Sequence, residues 1–300
     1  MVPEVIKLLN ITPDGIYLDG TIGLGGHAQA IVSHLSPKGL LLGLDGDAEA
    51  LNYSKKNLTA SCKIHLFNDS YSNFTHYLDP LNIREFDGMI LDLGLSSFQL
   101  DTPERGFSYR FNGPLDMRFK KDSGINGVHI VNQWNERELS KLFKTYGEEH
   151  NSKAIAKSIV GCRVKQPIKT TFQLCDAVKQ VVSPVQINKT LSRIFQAIRI
   201  EVNKELNSLT QFLIKFIDYL KIGGRVVILS YHSLEDRLVK NALTDLQKEC
   251  ICPPDFPECI CDIVKRLNII TRKPLTPVDT EITVNKRASS AKLRAGEKLA

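Results

Sequence analysis

Short apolar runs alternate with stretches of helical spacing over the first hundred residues. Four runs have the length and composition of buried strands and cover residues 16–18, 39–44, 63–67 and 87–92. Helical spacing fills the intervals, and Asp47 is placed to cap the helix after the second run. Strands that alternate with helices predict a parallel, doubly wound sheet, whose ligands bind beyond the C-terminal ends of the strands. Asp19, Asp45 and Asp92 all fall at that edge.

The alternation stops after Asp92. Residues 101–127 combine glycines, charges and aromatics without a sustained period, which indicates a long functional loop. Helical spacing then returns over residues 139–147, 155–162, 172–182 (capped by Thr171) and 191–220, and a fifth strand follows at 225–230. We therefore expect an α/β fold, a Rossmann-like doubly wound sheet with an inserted all-α domain. The predicted sheet domain comprises residues 1–107 plus 201–300, and the predicted helical insertion comprises residues 108–200.

Composition narrows the class of protein. Hydrophobic residues make up 42% of the chain and charged residues 24%, which suits a normal core and excludes an intrinsically disordered chain. The formal net charge of +6 favours a polyanionic partner only weakly. The start has no basic segment followed by a long apolar run, and runs of about eighteen apolar residues do not occur, so neither secretion nor a membrane span is indicated. We expect a cytoplasmic protein with reduced thiols.

A glycine-rich turn follows the first strand. The segment DGTIGLGGHA covers residues 19–28, and its glycines allow a sharp turn into a helix and a close approach of a ligand to the backbone. The pattern G-x-G-x-x-A that starts at Gly23 also satisfies the dinucleotide fingerprint, with Asp45 further along the chain to hold ribose hydroxyls. Asp19 favours a different ligand, because its carboxylate would repel a pyrophosphate, whereas S-adenosylmethionine carries an ammonium and a sulfonium. A turn that only joins strand to helix is the plainer alternative.

Polar residues also follow the fourth strand, in LDLGLSSFQ at residues 91–99. Amino-methylating enzymes place at this position the groups that accept hydrogen bonds from the target amine. An exocyclic amine of cytosine or adenine is a poor nucleophile because its lone pair is delocalised into the ring, so acceptors must draw it toward tetrahedral geometry. Asp92 and Ser96 are candidates for this role. The alternative is a polar strand end that only satisfies the backbone.

Two further segments are candidates for substrate contacts. Arg105, Arg110 and Arg118 interleave with aromatics that include Phe107, a mixture able to bind phosphates and stack on an extruded base. The alternative is a loop whose aromatics pack into the core while the arginines keep their charged ends in water. His232 follows the fifth strand at the same rim and is a candidate substrate contact, while its neighbour Ser233 is predicted to cap the next helix.

Four cysteines form two Cys-x-Cys pairs, Cys250 with Cys252 and Cys259 with Cys261. Four thiolates suit the tetrahedral coordination of Zn²⁺, but one-residue gaps are tighter than the usual spacing of structural zinc sites. Reduced thiols without metal are therefore the favoured interpretation, and the predicted reaction requires no metal.

The order of these motifs resembles that of the MraW/RsmH methyltransferases, which methylate N4 of a cytidine in the decoding region of bacterial small-subunit ribosomal RNA. The similarity spans nearly the whole chain and is carried by DGTIGLGGH (19–27), LDLGLSSFQ (91–99), ERGFSYR (104–110), PLDMR (114–118), KTYGEE (144–149), FQAIRIEVNKEL (195–206), GGRVVILSYHSLEDRLVK (223–240) and NKRASSAKLR (285–294). Family members usually carry a short histidine-containing segment before the first helix. Since the sequence here starts at MVPEVIKLL, we expect a truncated or misassigned start.

The resemblance implies a set of site residues. The S-adenosylmethionine pocket would be lined by Gly25, Gly26, His27, Asp45, Tyr71, Asp92 and Gln99, to which the start of the turn adds Asp19 and Gly23. Asp45 would take the ribose hydroxyls. Tyr71 would flank the adenine, with Phe74 or Phe67 as the alternatives. The helical insertion would recognise the substrate.

We therefore predict an S-adenosylmethionine-dependent rRNA (cytosine-N4-)-methyltransferase that acts on small-subunit rRNA within the small ribosomal subunit, with no DNA or membrane partner. Its catalytic candidates are Asp92, Ser96 and His232. Two alternatives from other classes stay open at this point. One is an NAD-dependent oxidoreductase, supported by the glycine turn and Asp45. The other is a non-catalytic RNA-binding assembly factor, which would keep the basic loop and the basic tail but need no cofactor pocket.

Overall fold

The computed structural model describes residues 1–122, 124–250, 252, 261 and 263–300. The chain divides into two compact units, the first formed by Met1–Gly94 with Asn207–Ala300 and the second by Leu95–Leu206. The inserted unit thus begins at Leu95 and ends at Leu206, whereas the predicted insertion covered residues 108–200. Within the described residues, no helix is long and apolar enough to cross a bilayer.

Residues on both flanks of the predicted insertion pack inside the second unit. The Arg105 guanidinium donates hydrogen bonds to the backbone carbonyls of residues 118–119 at 3.2 and 3.3 Å, and Phe107 belongs to the hydrophobic core of the unit. At the other end, Arg199 donates to both carboxylate oxygens of Glu205 at 2.8 and 2.9 Å. The two units divide at 94/95 and 206/207, and side-chain contacts such as these leave no periodic pattern in the sequence.

The first unit contains one sheet of seven described strands, β1 (Ile16–Asp19), β2 (Leu40–Leu44), β3 (Lys63–Phe67), β4 (Phe86–Asp92), β5 (Leu220–Ser230), β6 (Leu267–Ile269) and β7 (Lys292–Lys298). Their spatial order is β3-β2-β1-β4-β5-β7-β6. Strands β1 to β5 pair in parallel, whereas β7 runs antiparallel between β5 and β6. The predicted Rossmann-like sheet with a sequence-distant fifth strand is confirmed, while β6 and β7 were not predicted.

Both faces of the sheet are covered. Successive strand residues point to opposite faces, so Met89 and Val226 join one buried hydrophobic cluster, whereas Ile90 and Val227 join another. Burial on both faces explains why β2, β4 and β5 read as continuous apolar runs instead of alternating ones.

The described residues form twelve α-helices, α1 (Val2–Leu9), α2 (Gly26–Val32), α3 (Ala48–Asn57), α4 (Ser97–Asp101), α5 (Gly127–Gln133), α6 (Glu136–Tyr146), α7 (Ser152–Lys165), α8 (Thr171–Lys179), α9 (Ile187–Asn203), α10 (Glu205–Lys215), α11 (Ser233–Gln247) and α12 (Asp279–Val284). Helices α4 to α9 lie within the second unit, and α10 begins at its last two residues. Short 3₁₀ segments cover Tyr71–Tyr77, Pro103–Arg105, Phe216–Tyr219 and Lys286–Ser290.

Two details of the predicted helices are wrong. Thr170, and not Thr171, caps α8 with its side chain. The pattern over residues 191–220 does not form one helix, because α9 ends at Asn203 and Lys204 adopts a left-handed conformation with φ 52°. The hydrophobic pattern does not reveal a lysine with a left-handed backbone conformation. Residues other than glycine adopt this conformation only where their surroundings require it.

Candidate functional site

The turn from β1 to α2 brings backbone to the ligand edge of the sheet. Gly23 has φ 53° and Gly25 has φ 86°, the left-handed region that favours glycine. The backbone N–H of Ile22 donates to the carbonyl of Leu44 at 3.0 Å, which attaches the turn to β2. Among the described residues, a Cβ atom added at Gly26 would have no neighbour within 4 Å. The backbone there borders open space that a ligand can fill.

Asp45, at the end of β2, holds this turn in place. Its Oδ2 accepts a hydrogen bond from the backbone N–H of Gly23 at 2.7 Å, and its Oδ1 accepts from the N–H of Asp47 at 2.7 Å. Asp47 in turn caps α3, as predicted, by accepting from the N–H groups of residues 49–50. The contact of Asp45 with ribose hydroxyls stays a prediction.

Three other side chains surround the half-buried carboxylate of Asp92 at the end of β4. The Tyr231 hydroxyl donates to Asp92 Oδ1 at 2.8 Å, and His27 Nδ1 lies 3.4 Å from Asp92 Oδ2. Asp19, which is 1% exposed, interacts electrostatically with both His27 and Asp92. Within the described residues, Asp19 Oδ2 and His27 Nε2 are buried without a hydrogen-bond partner. Buried polar atoms normally have partners, so these two atoms are candidates for contacts with a ligand.

The shared burial shifts the pKa values of this cluster. Burial raises the pKa of the Asp19 carboxyl from 3.8 to about 7, against the opposing effects of His27 and the N–H of Thr21. Burial lowers the pKa of His27, but the hydrogen bond to Asp92 and the charges of Asp92 and Asp19 outweigh it and raise the pKa above 6.5. Burial and the charge of Asp92 raise the pKa of Tyr231, which stays a protonated donor. A bound cation would favour the ionised form of Asp19.

Thr21 determines how the ends of β1 and β4 meet. Its backbone N–H donates to Asp19 Oδ1 at 3.0 Å, and its hydroxyl accepts from the backbone N–H of Asp92 at 2.6 Å. The N–H of Gly20 donates to the carbonyl of Ile90 at 3.0 Å. Asp19 and Asp92 are therefore held at neighbouring positions by the backbone itself.

Tyr71 lies beside the start of the turn. Its Cβ would be 2.7 Å from a Cβ built at Gly20, so a glycine is needed for this approach. The half-buried Tyr71 ring meets Phe212 edge-on, with ring centroids 5.9 Å apart. Its contact with adenine stays a prediction.

Ser96 and Gln99 belong to the second unit, where they begin α4 with a reciprocal capping box. Ser96 Oγ accepts from the N–H of Gln99 at 3.2 Å, and Gln99 Oε1 accepts from the N–H of Ser96 at 3.0 Å. Gln99 is 5% exposed. This structural role was not predicted, and the catalytic role of Ser96 and the cofactor role of Gln99 stay predictions.

The arginine-aromatic loop separates into buried and accessible side chains. Arg105 is 2% exposed and Phe107 4%, and the guanidinium carbon lies 5.6 Å from the Phe107 ring centroid. For these two side chains, burial favours the structural alternative. Arg118 is half-buried and donates to both carboxylate oxygens of Asp116 at 2.8 Å, while Arg110 is exposed.

His232 caps α11, a role that the sequence analysis assigned to Ser233. His232 Nδ1 accepts from the N–H of Glu235 at 3.4 Å, and Glu235 Oε2 accepts from the N–H of His232 at 3.3 Å. Asp236, the predicted partner of Ser233, instead accepts from Arg294 Nε at 2.7 Å. The capping box starts one residue earlier because Glu235 occupies the third helical position.

The sequence analysis missed Tyr231 and Thr21 as partners of Asp92. Tyr231 directly follows β5 at the ligand edge of the sheet, and this position in the sequence could have indicated that it belongs to the site. Its pairing required the adjacency of β4 and β5, in which Asp92 lies opposite Leu229.

Topology and site together define a class of protein. Dinucleotide-binding Rossmann folds have the strand order 3-2-1-4-5-6, whereas here an antiparallel β7 separates β5 from β6. Asp19, Asp45 and Asp92 surround the glycine turn at the ligand edge, which suits a cationic ligand. The protein is a Rossmann-like, S-adenosylmethionine-dependent methyltransferase.

The chain belongs to the MraW methylase family, whose model matches residues 1–299. It is 43% identical over 302 residues to ribosomal RNA small subunit methyltransferase H of Halothermothrix orenii, and the alignment covers 100% of this chain and 97% of that protein. It is 45% identical over 300 residues to the protein of the same name from Caldicellulosiruptor saccharolyticus, and this alignment covers 100% of this chain and 98% of that protein. Among solved structures, an rRNA methylase from Streptococcus thermophilus is similar with a TM-score of 0.40 and 14% identity, over 100% of this chain and 94% of that chain. Membership in a methylase family overturns the oxidoreductase alternative.

Proposed function

We propose that this protein methylates N4 of a cytidine in the decoding region of 16S-type small-subunit rRNA, with S-adenosylmethionine as methyl donor. Relatives that share 43% and 45% identity over the whole chain carry the name ribosomal RNA small subunit methyltransferase H, which supports the substrate class. The observation that carries the proposal is the cluster of Asp19, His27 and Asp92 beside the glycine turn, in which Asp19 is buried and the other two side chains are partly exposed. It combines a site for a positively charged donor with an acceptor for an amine.

The residues present fit S-adenosylmethionine. Asp45 holds the turn through the backbone N–H groups of Gly23 and Asp47, and its carboxylate follows β2 at the edge of the sheet where ribose hydroxyls would bind. The backbone at Gly26 borders open space, and Asp19 carries an unsatisfied buried oxygen. At an effective dielectric constant of 20, a cation about 4 Å from a carboxylate gains roughly 4 kcal/mol, and an anion loses as much. The acids around the turn therefore favour a sulfonium and an ammonium over a pyrophosphate.

Asp92 orients the target amine in the proposed reaction. When bound, S-adenosylmethionine supplies an electrophilic methyl group. Asp92 accepts a hydrogen bond from the exocyclic N–H, which draws the nitrogen lone pair out of conjugation with the ring. Tyr231 and His27 hold the two carboxylate oxygens in one orientation. The amine proton leaves to solvent or to a nearby carboxylate.

The target base must leave its stack to reach Asp92. The exposed Arg110 and the neighbouring Phe111, 41% exposed, are suited to contact phosphate and to stack on a base. The Arg118 side chain is 21% exposed and is paired with Asp116, so it is a weaker phosphate contact than Arg110. Arg105 and Phe107 support the loop from inside. The partner in this proposal is the small ribosomal subunit in the cytoplasm.

The proposal is tested with small subunits from cells that lack this protein. The purified enzyme and methyl-labelled S-adenosylmethionine are added, and nucleoside mass spectrometry with fragment mapping locates the label. We expect N4-methylcytidine at one position of the decoding region. Parallel reactions with naked rRNA determine whether the assembled subunit is required.

Asp92→Ala tests the role of the carboxylate in the same assay. We expect its transfer to fall to background, while the control Asp79→Asn, which changes an exposed carboxylate, keeps wild-type transfer. Full methylation by Asp92→Ala would refute the acceptor role. Label on another nucleoside, or no transfer by the wild-type protein to either substrate, would refute the proposed reaction.

A further inference from the structure

A cluster of thiols lies in the segment between α11 and β6, among residues that the methyl-transfer site does not use. The tetrapeptide ECIC occurs at residues 249–252 and again at 258–261. The structure describes Cys250, Cys252 and Cys261, whereas Cys259 lies outside the described residues.

The three described thiols converge on one point. Their sulfur atoms all lie within 4.8 Å of one another, and the distance from Cys261 Sγ to Cys250 Sγ is 3.7 Å. Bonded sulfurs in a disulfide are about 2.05 Å apart, so this pair is not bonded. Two thiolates on one tetrahedral Zn²⁺, with Zn–S bonds of about 2.3 Å, lie about 3.8 Å apart. The observed separation therefore matches two ligands of a shared metal ion.

The local backbone also suits thiolates. The N–H of Cys252 donates to Cys250 Sγ at 3.3 Å, and a donor directed at sulfur stabilises negative charge there. The one-residue gap between Cys250 and Cys252 was the argument against zinc in the sequence. In the structure this gap does not separate the two thiols, because both belong to the same cluster.

The chain on either side of the cluster is held together independently. Lys265 Nζ lies 3.3 Å from Glu249 Oε1, and the N–H of Arg266 donates to the carbonyl of Leu246 at 2.9 Å. The residues that flank the cysteines on the two sides are thus close together without a metal. This reduces the chain entropy that is lost when the thiols converge on a metal ion.

We propose that Cys250, Cys252 and Cys261 bind one structural Zn²⁺ as three thiolates of its tetrahedral ligand set. Sulfur-rich, four-coordinate sets are typical of structural zinc. Each thiol that binds loses its proton to the buffer. Since Cys250 is exposed and Cys252 and Cys261 are only partly buried, metal coordination and not burial in a core would hold this segment in place.

Metal analysis of the full-length protein tests the proposal. The protein is purified under reducing conditions without chelators, and zinc and iron are measured by mass spectrometry. We expect about one zinc per chain, and a loss to near zero in Cys250→Ser and in Cys261→Ser. The matched controls Cys62→Ser and Cys162→Ser change cysteines elsewhere in the chain and should keep the wild-type zinc content.

Cobalt substitution gives a readout that does not depend on the folding of a variant. Wild-type protein loaded with Co²⁺ should show intense thiolate-to-cobalt charge transfer and the visible bands of tetrahedral coordination. Undiminished zinc in Cys250→Ser or iron in place of zinc would overturn the proposal. So would a wild-type protein that takes up neither metal while these three thiols titrate as free thiols.

Discussion

The Asp19 carboxyl makes the stability of the cofactor-free protein depend on pH. Burial raises its pKa in the folded chain to about 7, against an ordinary value of 3.8. The folded protein therefore holds a proton over a pH range in which the unfolded chain has lost it. The contribution of this group to stability is complete below about pH 3.8 and is lost as the pH rises toward 7.

Asp19→Asn removes the titration while keeping the size of the side chain. The carboxyl has a higher pKa in the folded chain than in the unfolded chain, and each unit of this difference corresponds to about 1.36 kcal/mol. As the pH rises from 5 to 8, the free energy of unfolding of the wild-type protein should therefore fall by roughly 2–3 kcal/mol. Urea denaturation without S-adenosylmethionine at both pH values measures this change. We expect Asp19→Asn to lack that share of the pH dependence and to be the more stable protein at pH 8. The exposed control Asp79→Asn should follow the wild type.

Cofactor binding provides the second arm of this experiment. A cation beside Asp19 favours its ionised form, so binding of S-adenosylmethionine near pH 6 should release a proton. Calorimetry in two buffers with different ionisation enthalpies measures that proton, and Asp19→Asn should lose most of it. Any proton still released by the variant would come from His27, whose pKa is also raised. Parallel stability curves and equal proton release in the two proteins would refute the reasoning.

Three further substitutions test other parts of the site. Tyr231→Phe removes a hydrogen bond to a charged group, which is worth about 1.5–3 kcal/mol. We expect single-turnover methyl transfer to slow roughly 10–100-fold while cofactor affinity is retained, and an unchanged rate would contradict the positioning role of Tyr231. Gly25→Ala places a Cβ at φ 86° and should lower stability by about 1–2 kcal/mol in thermal denaturation. Its control Gly26→Ala, where the Cβ meets open space, should keep stability and weaken cofactor binding; equal stability losses would argue against the assigned strain. Arg110→Ala should reduce the slope of log affinity for small subunits against log salt by about 1, and an unchanged slope would exclude a phosphate contact there.

The strands at the ligand edge were predictable from the sequence. Their apolar runs are buried on both faces of the sheet, and such runs keep their signal because nearly every residue contributes to a core. The glycine turn was predictable for a related reason, since Gly23 and Gly25 occupy left-handed conformations that few other residues adopt. The acids that end β1, β2 and β4 followed from the strand positions alone.

The cap of α11 and the burial of Arg105 were not predictable in the same way. A capping box at Ser233 and one at His232 differ by a single position, and only backbone geometry distinguishes them. An arginine among aromatics has the same sequence pattern whether it faces solvent or lies at 2% exposure.

The sequence by itself determined the alternation of strands and helices, the place of the turn and the sign of the charge around it, because periodicity and residue chemistry are local properties. Only the tertiary structure decided that Tyr231 donates to Asp92, that Asp19 is buried enough to hold a proton near neutral pH, and that three cysteine thiols meet. Each of these depends on which strands and segments become neighbours in space, and that adjacency is set by the packing of the whole unit.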